Sequence, residues 1–283
     1  MRGGVTINPA ITWEPTVGVY LDGVYLGKTQ GAIFDVVDLE RVEILRGPQG
    51  TLYGRNTLGG AINLISQRPN GSGIETKLTL GNYGLTQAQF ISDFELAEGT
   101  YGKLVVNSKE RDGYVHNAPG PFGGAQGVVP SADPTVNELD TINSHGFRFT
   151  IARDTDNSSF DLSVDYNDQS NTPPFAQLGH TIPNWSAAFG VGASPQTFGL
   201  KLWPIELYTS KGRSKIAHVN EAVFEKSEVS GIALTYSRDT NLGTVKAILA
   251  RRDTEWSDNL DLDGGPFQIA NTSRFTDYTS ETF

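Results

Sequence analysis

Apolar and polar residues alternate along most of the chain from Glu75 onward. A period of two places alternate side chains on opposite faces of a β-strand. The clearest apolar runs, each interleaved with polar or small residues, are Phe147, Phe149 and Ile151; Phe160, Leu162, Val164 and Tyr166; and Ile232, Leu234 and Tyr236. The pattern therefore predicts a mainly β chain whose antiparallel strands each have one apolar and one polar face.

The connections between the predicted strands alternate in length. Short turns at 98–100, 154–157 and 240–243 join strand pairs, and long segments at 111–141, 169–227 and 254–272 separate them. One short connection, 81–84, stands where a long one is expected. A β-sandwich does not segregate its connections in this way, whereas an up-and-down barrel with a turn side and a loop side does. We predict about eight strands of a transmembrane antiparallel β-barrel.

The first quarter of the chain has a different texture. Asp22-Gly23 interrupts two short alternating runs, 17–21 and 24–26, which predicts a β-hairpin. Further on we predict a capped helix start at Asp38, a strand at 42–45, one helical turn around Leu52 and Tyr53, and a strand at 61–65. Residues 69–73 form a Pro/Gly/Asn linker, and we place a domain boundary there, between residues 1–73 and 74–283.

The stretch ERVEILRGPQGTLYGRNTLGGAINLIS, together with VGVYLDGVYLG before it, resembles the plug-domain signature of TonB-dependent outer-membrane receptors. These are gated, energy-coupled uptake barrels. The resemblance implies that residues 1–73 are the C-terminal part of an α+β plug, and that the rest begins a barrel of about 22 strands.

Seven residues carry most of this resemblance: Gly47, Pro48, Gly50, Tyr53, Gly54, Gly59 and Gly60. The alternative is that the glycines are ordinary turn residues of a small soluble α+β domain. A phosphate-binding loop does not fit, because Ala61 stands where that motif requires a lysine, and a strand follows instead of a helix.

The resemblance also indicates a latch between plug and barrel. Arg2, Glu43 and Arg46 match charged plug positions that in this family face carboxylates and arginines of the barrel wall. Buried charges need partners, so such pairs would resist separation. The alternative is that the three side chains are solvated in a wet lumen.

Three aromatic residues in the long segment 169–227 are candidate ligand contacts: Trp185, Trp203 and Tyr208. Aromatic faces suit flat ligands, and outer loops meet the ligand first. These rings have two simpler roles, packing within the loop or lying in the interfacial aromatic belt.

By resemblance, the expected function is TonB-dependent uptake of a scarce ligand, a ferric siderophore, into a Gram-negative cell through its outer membrane. The implied partners are TonB with its inner-membrane energising complex, outer-membrane lipid, and a small-molecule metal chelate. The main alternative is that the same machinery takes up an oligosaccharide or a cobalamin-like ligand instead. A soluble extracellular all-β carbohydrate-binding protein is a further alternative, and it would bury the apolar strand faces against a second sheet.

Composition excludes several other classes. The net charge of −10 disfavours nucleic acid, and the absence of cysteine excludes disulfides and thiolate sites. The four histidines, at 116, 145, 180 and 218, stand singly, so we expect neither a metal site nor a cofactor. No nucleophile motif is present, and we expect no enzyme activity. No apolar run approaches the roughly 18 residues of a membrane-spanning helix.

The ends of the chain favour an internal fragment. MRGGVTINPA has no secretory signal pattern, and Arg2-Gly3 matches a position inside the plug. We therefore expect the signal peptide and the TonB-contacting box to lie upstream, and Phe283 to lie inside a strand.

Overall fold

The computed structural model describes residues 15–27, 38–54, 56–118, 136–174, 212, 214–217, 219, 222–261 and 271–282. The first elements are β1 (Val17–Leu21), β2 (Val24–Leu26), β3 (Leu39–Arg46), α1 (Gly50–Tyr53) and β4 (Gly60–Ser66). The remaining strands are β5 (Ser72–Leu80), β6 (Thr86–Ala97), β7 (Thr100–Arg111), β8 (Val115–Asn117), β9 (Glu138–Leu139), β10 (Ile142–Thr155), β11 (Ser158–Asn171), β12 (Ile216–Ala217), β13 (Phe224–Thr240), β14 (Gly243–Asp261) and β15 (Asn271–Thr282). Within the described residues no helix is long and apolar enough to cross a membrane.

The N-terminal strands form a four-stranded sheet in the order β2-β1-β4-β3, which we call the plug sheet. The predicted hairpin is confirmed, because β1 and β2 pair antiparallel around Asp22 and Gly23. Both residues have positive φ, 53° and 90°, as a tight two-residue hairpin turn requires. β4 runs parallel to β1 and antiparallel to β3.

The helix start predicted at Asp38 is wrong, since β3 begins at Leu39 and continues to Arg46. The Asp38 carbonyl accepts a hydrogen bond from the Gln67 amide at 2.7 Å, so pairing with β4 begins where a helix was expected. Tertiary strand pairing satisfies the backbone groups that a helical cap would otherwise have to serve. The helical turn is confirmed as α1, and the second strand as β4.

Eight antiparallel strands form a second sheet, which we call the wall, in the order β15-β14-β13-β11-β10-β7-β6-β5. The predicted number of strands and the up-and-down order are confirmed. One rim carries the tight turns after β6, β10 and β13, and the opposite rim carries all the longer connections. We call these the turn rim and the loop rim.

The two faces of the wall are inverted relative to a soluble protein. Large apolar side chains on its outer face are exposed, including Phe160 at 42% and Ile232 at 50%. Its inner face buries polar residues, among them Lys103, Asn107, Arg148, Asp165, Asn167, Ser227 and Arg252. Among the described residues no second sheet covers Phe147, Phe160 or Val164, so the packing that a soluble sandwich needs is not formed there. The wall is a partial membrane barrel.

The segments predicted as long loops contain three short strands. β12, β8 and β9 form a small sheet at the loop rim. It covers an apolar cluster of Val115, Val136, Leu139, Ala217, Val219 and Val223. The Asn117 side chain ties the two segments together, because its amide donates to the carbonyls of Val136 and Val219 at 3.0 and 3.1 Å. The apolar residues within these segments account for the additional structure.

Candidate functional site at the contact between plug and wall

The hairpin edge of the plug sheet rests on the inner face of the wall. Val19, Leu21, Leu26 and Leu64 of the plug form one buried cluster with Val229 of β13. A Cβ atom added to Gly27, just after β2, would lie 2.7 Å from Cζ of Tyr278 in β15. The closeness of these contacts fixes the hairpin against β13 and β15.

A network of four charged residues joins the turn of this hairpin to the wall. Arg148 donates from Nη2 to Asp22 Oδ2 at 2.8 Å and from Nη1 to Asp165 Oδ2 at 3.0 Å. Arg252 also binds Asp165, with Nη2 donating to Oδ1 at 2.8 Å. The three wall residues are at most 7% exposed, so their charges neutralise one another out of bulk water, and the partly exposed Asp22 side chain adds the second carboxylate from the plug.

The strand register explains why Arg252 reaches Asp165. Arg148, Asp165, Gly231 and Arg252 are direct neighbours in one row across β10, β11, β13 and β14. Gly231 has no side chain, and a Cβ there would lie 2.9 Å from Arg252 Cζ and 3.0 Å from Asp165 Oδ1. The Arg252 side chain therefore crosses β13 through the space that this glycine leaves.

A second ion pair lies near the turn rim. Arg68, in the segment between β4 and β5, donates from Nη1 and Nη2 to the two carboxylate oxygens of Asp154, both at 2.8 Å. Its Nε donates to Asp161 Oδ1 at 2.7 Å. Such a fork fixes orientation as well as distance. The Asp154 bonds raise the pKa of Arg68, whose charge is permanent in any case.

A third contact is a buried lysine of the wall. Lys103 Nζ lies 2.7 Å from Asp38 Oδ2 of the plug and 3.2 Å from Asp93 Oδ2 of the neighbouring strand β6. Asp93 also accepts a hydrogen bond from the Asn70 amide at 2.9 Å. Asp38, predicted as a helix cap, thus pairs with the wall.

A cavity of 460 Å³ lies between plug and wall beside the four-residue network. It is lined from the plug side by Asp22, Glu40, Arg41, Asn63 and Ser66, and from the wall side by Arg148, Asp161, Asp165, Lys246 and Arg252. Two buried polar atoms on this lining, Asn63 Oδ1 and Arg148 Nε, have no hydrogen-bond partner in the part of the chain that the structure describes. The contact is therefore polar and incompletely filled.

Tyr53 of the predicted plug motif packs inside the plug. Its ring centroid lies 4.8 Å from that of Tyr20, and Tyr20 stands 5.4 Å from Tyr25 on the neighbouring strand. The Tyr20 hydroxyl donates to the Tyr53 carbonyl. Burial is the largest cause, and the neighbouring Tyr25 and Tyr53 are smaller causes, that raise the pKa of Tyr20 to about 12. The hydroxyl therefore keeps its proton. This cluster holds α1 against β1.

The other motif residues shape the connection between β3 and β4. Gly47 and Gly54 have φ of 92° and 75°, where a side chain would be strained. The Gly47 amide donates to the Gly59 carbonyl at 3.2 Å, next to Pro48, and Gly60 begins β4. Gly50 begins α1, and no described atom lies within 4 Å of its Cβ position.

The predicted latch residues do not meet the described part of the wall. Glu43 accepts hydrogen bonds from Asn63 at 3.0 Å and Arg41 at 2.9 Å, both in the plug. These bonds, the Asn63 one first, lower the pKa of Glu43. Arg46 is exposed and makes no ion pair with any residue that the structure describes. Arg2, Trp185, Trp203 and Tyr208 lie outside the described residues, so latch and ligand contacts stay predictions.

The sequence alone missed the residues that do join plug and wall, chiefly Asp22, Arg68 and Arg148. The alternation already put Arg148 and Asp165 on the polar face of their strands, and charges on a buried inner face need partners. That signal could have identified Arg148 and Asp165 as the wall half of the network. It did not indicate that the partner is the aspartate of a hairpin turn. In the described ranges no cluster of His, Asp or Glu is arranged to hold a metal ion.

Comparison with known proteins gives consistent results. Residues 1–61 match the family model of the TonB-dependent receptor plug domain. Over 58 residues the chain is 47% identical to the pesticin receptor of Yersinia pestis, which is 20% of this chain and 8% of the relative. It is 37% identical over 84 residues to the catecholate siderophore receptor Fiu of Escherichia coli, 29% of this chain and 10% of the relative. The chain thus spans a tenth or less of the length of these two relatives.

The fold also matches a solved structure. The ferric yersiniabactin uptake receptor FyuA from Yersinia pestis superimposes with a TM-score of 0.62 at 19% identity. The match covers 88% of this chain and 33% of that one, so it extends through both the plug sheet and the wall. Residues 1–61 thus match a TonB-dependent receptor plug domain in sequence, and the plug sheet and the wall together share the fold of a solved receptor.

Proposed function

We propose that the chain is part of a TonB-dependent receptor in the outer membrane of a Gram-negative bacterium, which takes up a ferric siderophore. TonB and its inner-membrane complex supply the energy, and the plug closes the lumen until ligand is bound. Fiu is named as a catecholate siderophore receptor and FyuA as a ferric yersiniabactin uptake receptor, and these two names support the ligand class. The pesticin receptor is a further relative.

The inverted wall carries the proposal. A sheet that exposes Phe160 and Ile232 while burying Arg148 and Asp165 is suited to lipid on one side and a polar filling on the other. The plug sheet is that filling, and it is held by ion pairs together with one apolar cluster that includes Val229 of the wall.

Two measurements test the membrane assignment and the ligand. The full-length receptor should partition into outer membranes and migrate faster unboiled than boiled in gels. A fully water-soluble monomer would contradict the proposal and favour the carbohydrate-binding alternative. Cells that express it should accumulate radioactive iron from ferric siderophores only when TonB is present. Transcript induction by iron starvation supports the siderophore, whereas uptake of an oligosaccharide or a cobalamin-like compound instead would replace it.

We also propose that Arg2, Glu43 and Arg46 latch the plug to wall residues other than those described. Arg46→Ala in the full-length receptor should loosen the plug and raise the entry of large antibiotics, with ligand binding nearly unchanged. The exposed Arg153→Ala on β10 is the control. Unchanged permeability at normal expression would mean that Arg46 is solvated.

Trp185, Trp203 and Tyr208 are proposed as ligand contacts at the loop rim. Replacing any one of them by Ala should weaken ligand binding up to about tenfold, because an aromatic contact contributes about 0.5–1.5 kcal/mol beyond the area it buries. Equilibrium binding to the purified receptor measures this. Unchanged affinity in all three variants would assign the rings to packing within the loop.

A further inference from the structure

The plug hairpin presents a carboxylate to a preformed guanidinium site on the wall. Arg148 is 5% exposed, and Asp165, 2% exposed, is bound by both Arg148 and Arg252. This pairing holds Arg148 with one edge of its guanidinium toward Asp22. The bond from Nη1 to Asp165 is made within the wall, so this constraint on the guanidinium remains when the plug carboxylate is withdrawn.

The Asp22 carboxylate belongs to the plug. Its Oδ1 accepts from the Ser66 amide and its Oδ2 from the Ser66 hydroxyl, each at 2.8 Å. When the hairpin leaves its seat, Asp22 and Ser66 leave together. The wall then retains two guanidinium groups and one carboxylate, and the site gains a net positive charge in a poorly solvated place.

We propose that Arg148 is a carboxylate-binding station on the path through the barrel, which Asp22 occupies while the plug is seated and a carboxylate group of the passing ligand occupies when the hairpin is displaced. This deepens the proposed uptake function, because ligand reaches the station only when the plug moves. Asp22 acts as an internal stand-in for the ligand's anionic group.

Two observations beside the ion pair favour this site. Arg148 Nε is buried, has no acceptor among the described residues, and belongs to a residue that lines the 460 Å³ cavity, so one donor of the guanidinium remains unused within that part of the chain. Lys246 and Arg252 line the same cavity, whereas its carboxylates are already engaged: Glu40 by Arg41, Asp161 by Arg68, and Asp165 by both Arg148 and Arg252. A planar carboxylate matches the donors that a guanidinium offers, whereas a neutral amide does not.

Crystals of the full-length receptor provide the test, with para-bromobenzoate as the probe and its neutral analogue para-bromobenzamide as the control. Asp22→Asn removes the competing charge while preserving shape. We expect bromine anomalous density in the cavity of Asp22→Asn crystals, with the probe carboxylate on Arg148. The amide should give none, and the seated wild-type receptor should give at most a weak peak.

The double variant Asp22→Asn with Arg148→Gln should lose the peak. Density that persists in the double variant, that appears equally with the amide, or that lies away from Arg148 would show an adventitious additive only and overturn the station. Absence of density in Asp22→Asn would overturn it as well. Asp22→Ser serves as a second variant if Asp22→Asn does not fold. Iron uptake by the wild type is measured separately, so failure of the station and failure of the uptake function are distinguishable.

Discussion

Strand β3 and the hairpin β1–β2 lie at opposite edges of the same plug sheet, and they treat the wall differently. β3 contains the charged part of the family motif, yet its side chains are largely exposed, Ile44 at 59%, and Glu43 bonds only within the plug. The hairpin has an ordinary Asp-Gly turn, and this turn pairs with buried Arg148. Within the described residues, the plainer edge places its turn on a buried wall charge, whereas the edge with the charged motif pairs with a wall charge through Asp38, just before β3, and not through β3 itself.

The difference separates two tasks. The motif residues build the plug: glycines with positive φ turn the chain between β3 and β4, and Tyr53 packs on Tyr20. The anchors depend on which inward positions of the wall carry charge, and these are set by the alternation of each strand. A motif therefore identifies the domain without identifying the residues that seat it.

The largest effect is expected from Arg148→Ala. It should lower the free energy that holds the hairpin in place by about 3 kcal/mol, which is the lower end for a broken buried ion pair. The loss is limited because Asp22 still accepts a hydrogen bond from Ser66 and Asp165 still pairs with Arg252. Hydrogen exchange of the hairpin amides in the full-length receptor should then accelerate about a hundredfold. Arg153→Ala, on the same strand but exposed, is the control. Equal exchange rates in both variants would show that Arg148 does not stabilise the docked hairpin.

A pair of glycines sharpens the comparison. Gly231→Ala should displace Arg252 from Asp165, because its Cβ would lie 3.0 Å or less from both side chains, and we expect a loss of about 2 kcal/mol. Gly50→Ala, at a motif position with open space among the described residues, should be nearly neutral. Chemical denaturation of both variants measures this. An unchanged free energy of unfolding in Gly231→Ala would mean that the Arg252 side chain reaches Asp165 without crossing the space above Gly231.

Arg68→Ala tests the turn rim and should have a smaller effect, about 1 kcal/mol, because the Arg68 side chain is 39% exposed. Salt screens exposed pairs more than buried ones, so the effect should diminish between low and high ionic strength, while that of Arg148→Ala changes little. Denaturation at two salt concentrations provides the comparison. A salt-independent loss would indicate that Arg68 is buried in the full-length receptor.

The parts that the sequence predicted share a physical basis. Strand number, hairpin and α1 follow from local periodicity and turn chemistry, which neighbouring residues determine. The helix start predicted at Asp38 was wrong because the local capping signal competes with the pairing of β3 to β4, which is a contact between distant segments. The Asp22 to Arg148 pair joins residues 126 positions apart, and no local pattern encodes which inward charge the turn will meet. The small sheet at the loop rim was missed for the same reason.

The smallest effect concerns Glu43 and asks whether β3 is held within the plug. Hydrogen bonds from Asn63 and then Arg41 lower the folded-state pKa of Glu43 below the ordinary value of about 4.3. A lowered carboxyl pKa stabilises the fold above the unfolded-state pKa, and this stabilisation is lost as pH falls through the folded-state pKa. Glu43→Gln should therefore be slightly less stable than wild type near neutral pH and should converge with it in acid. Asn63→Ala should raise the Glu43 pKa, which carboxyl NMR titration of the full-length receptor measures. If Asn63→Ala and Arg41→Ala each leave that titration unchanged, a residue outside the plug sheet holds Glu43, and the contrast between the two edges disappears.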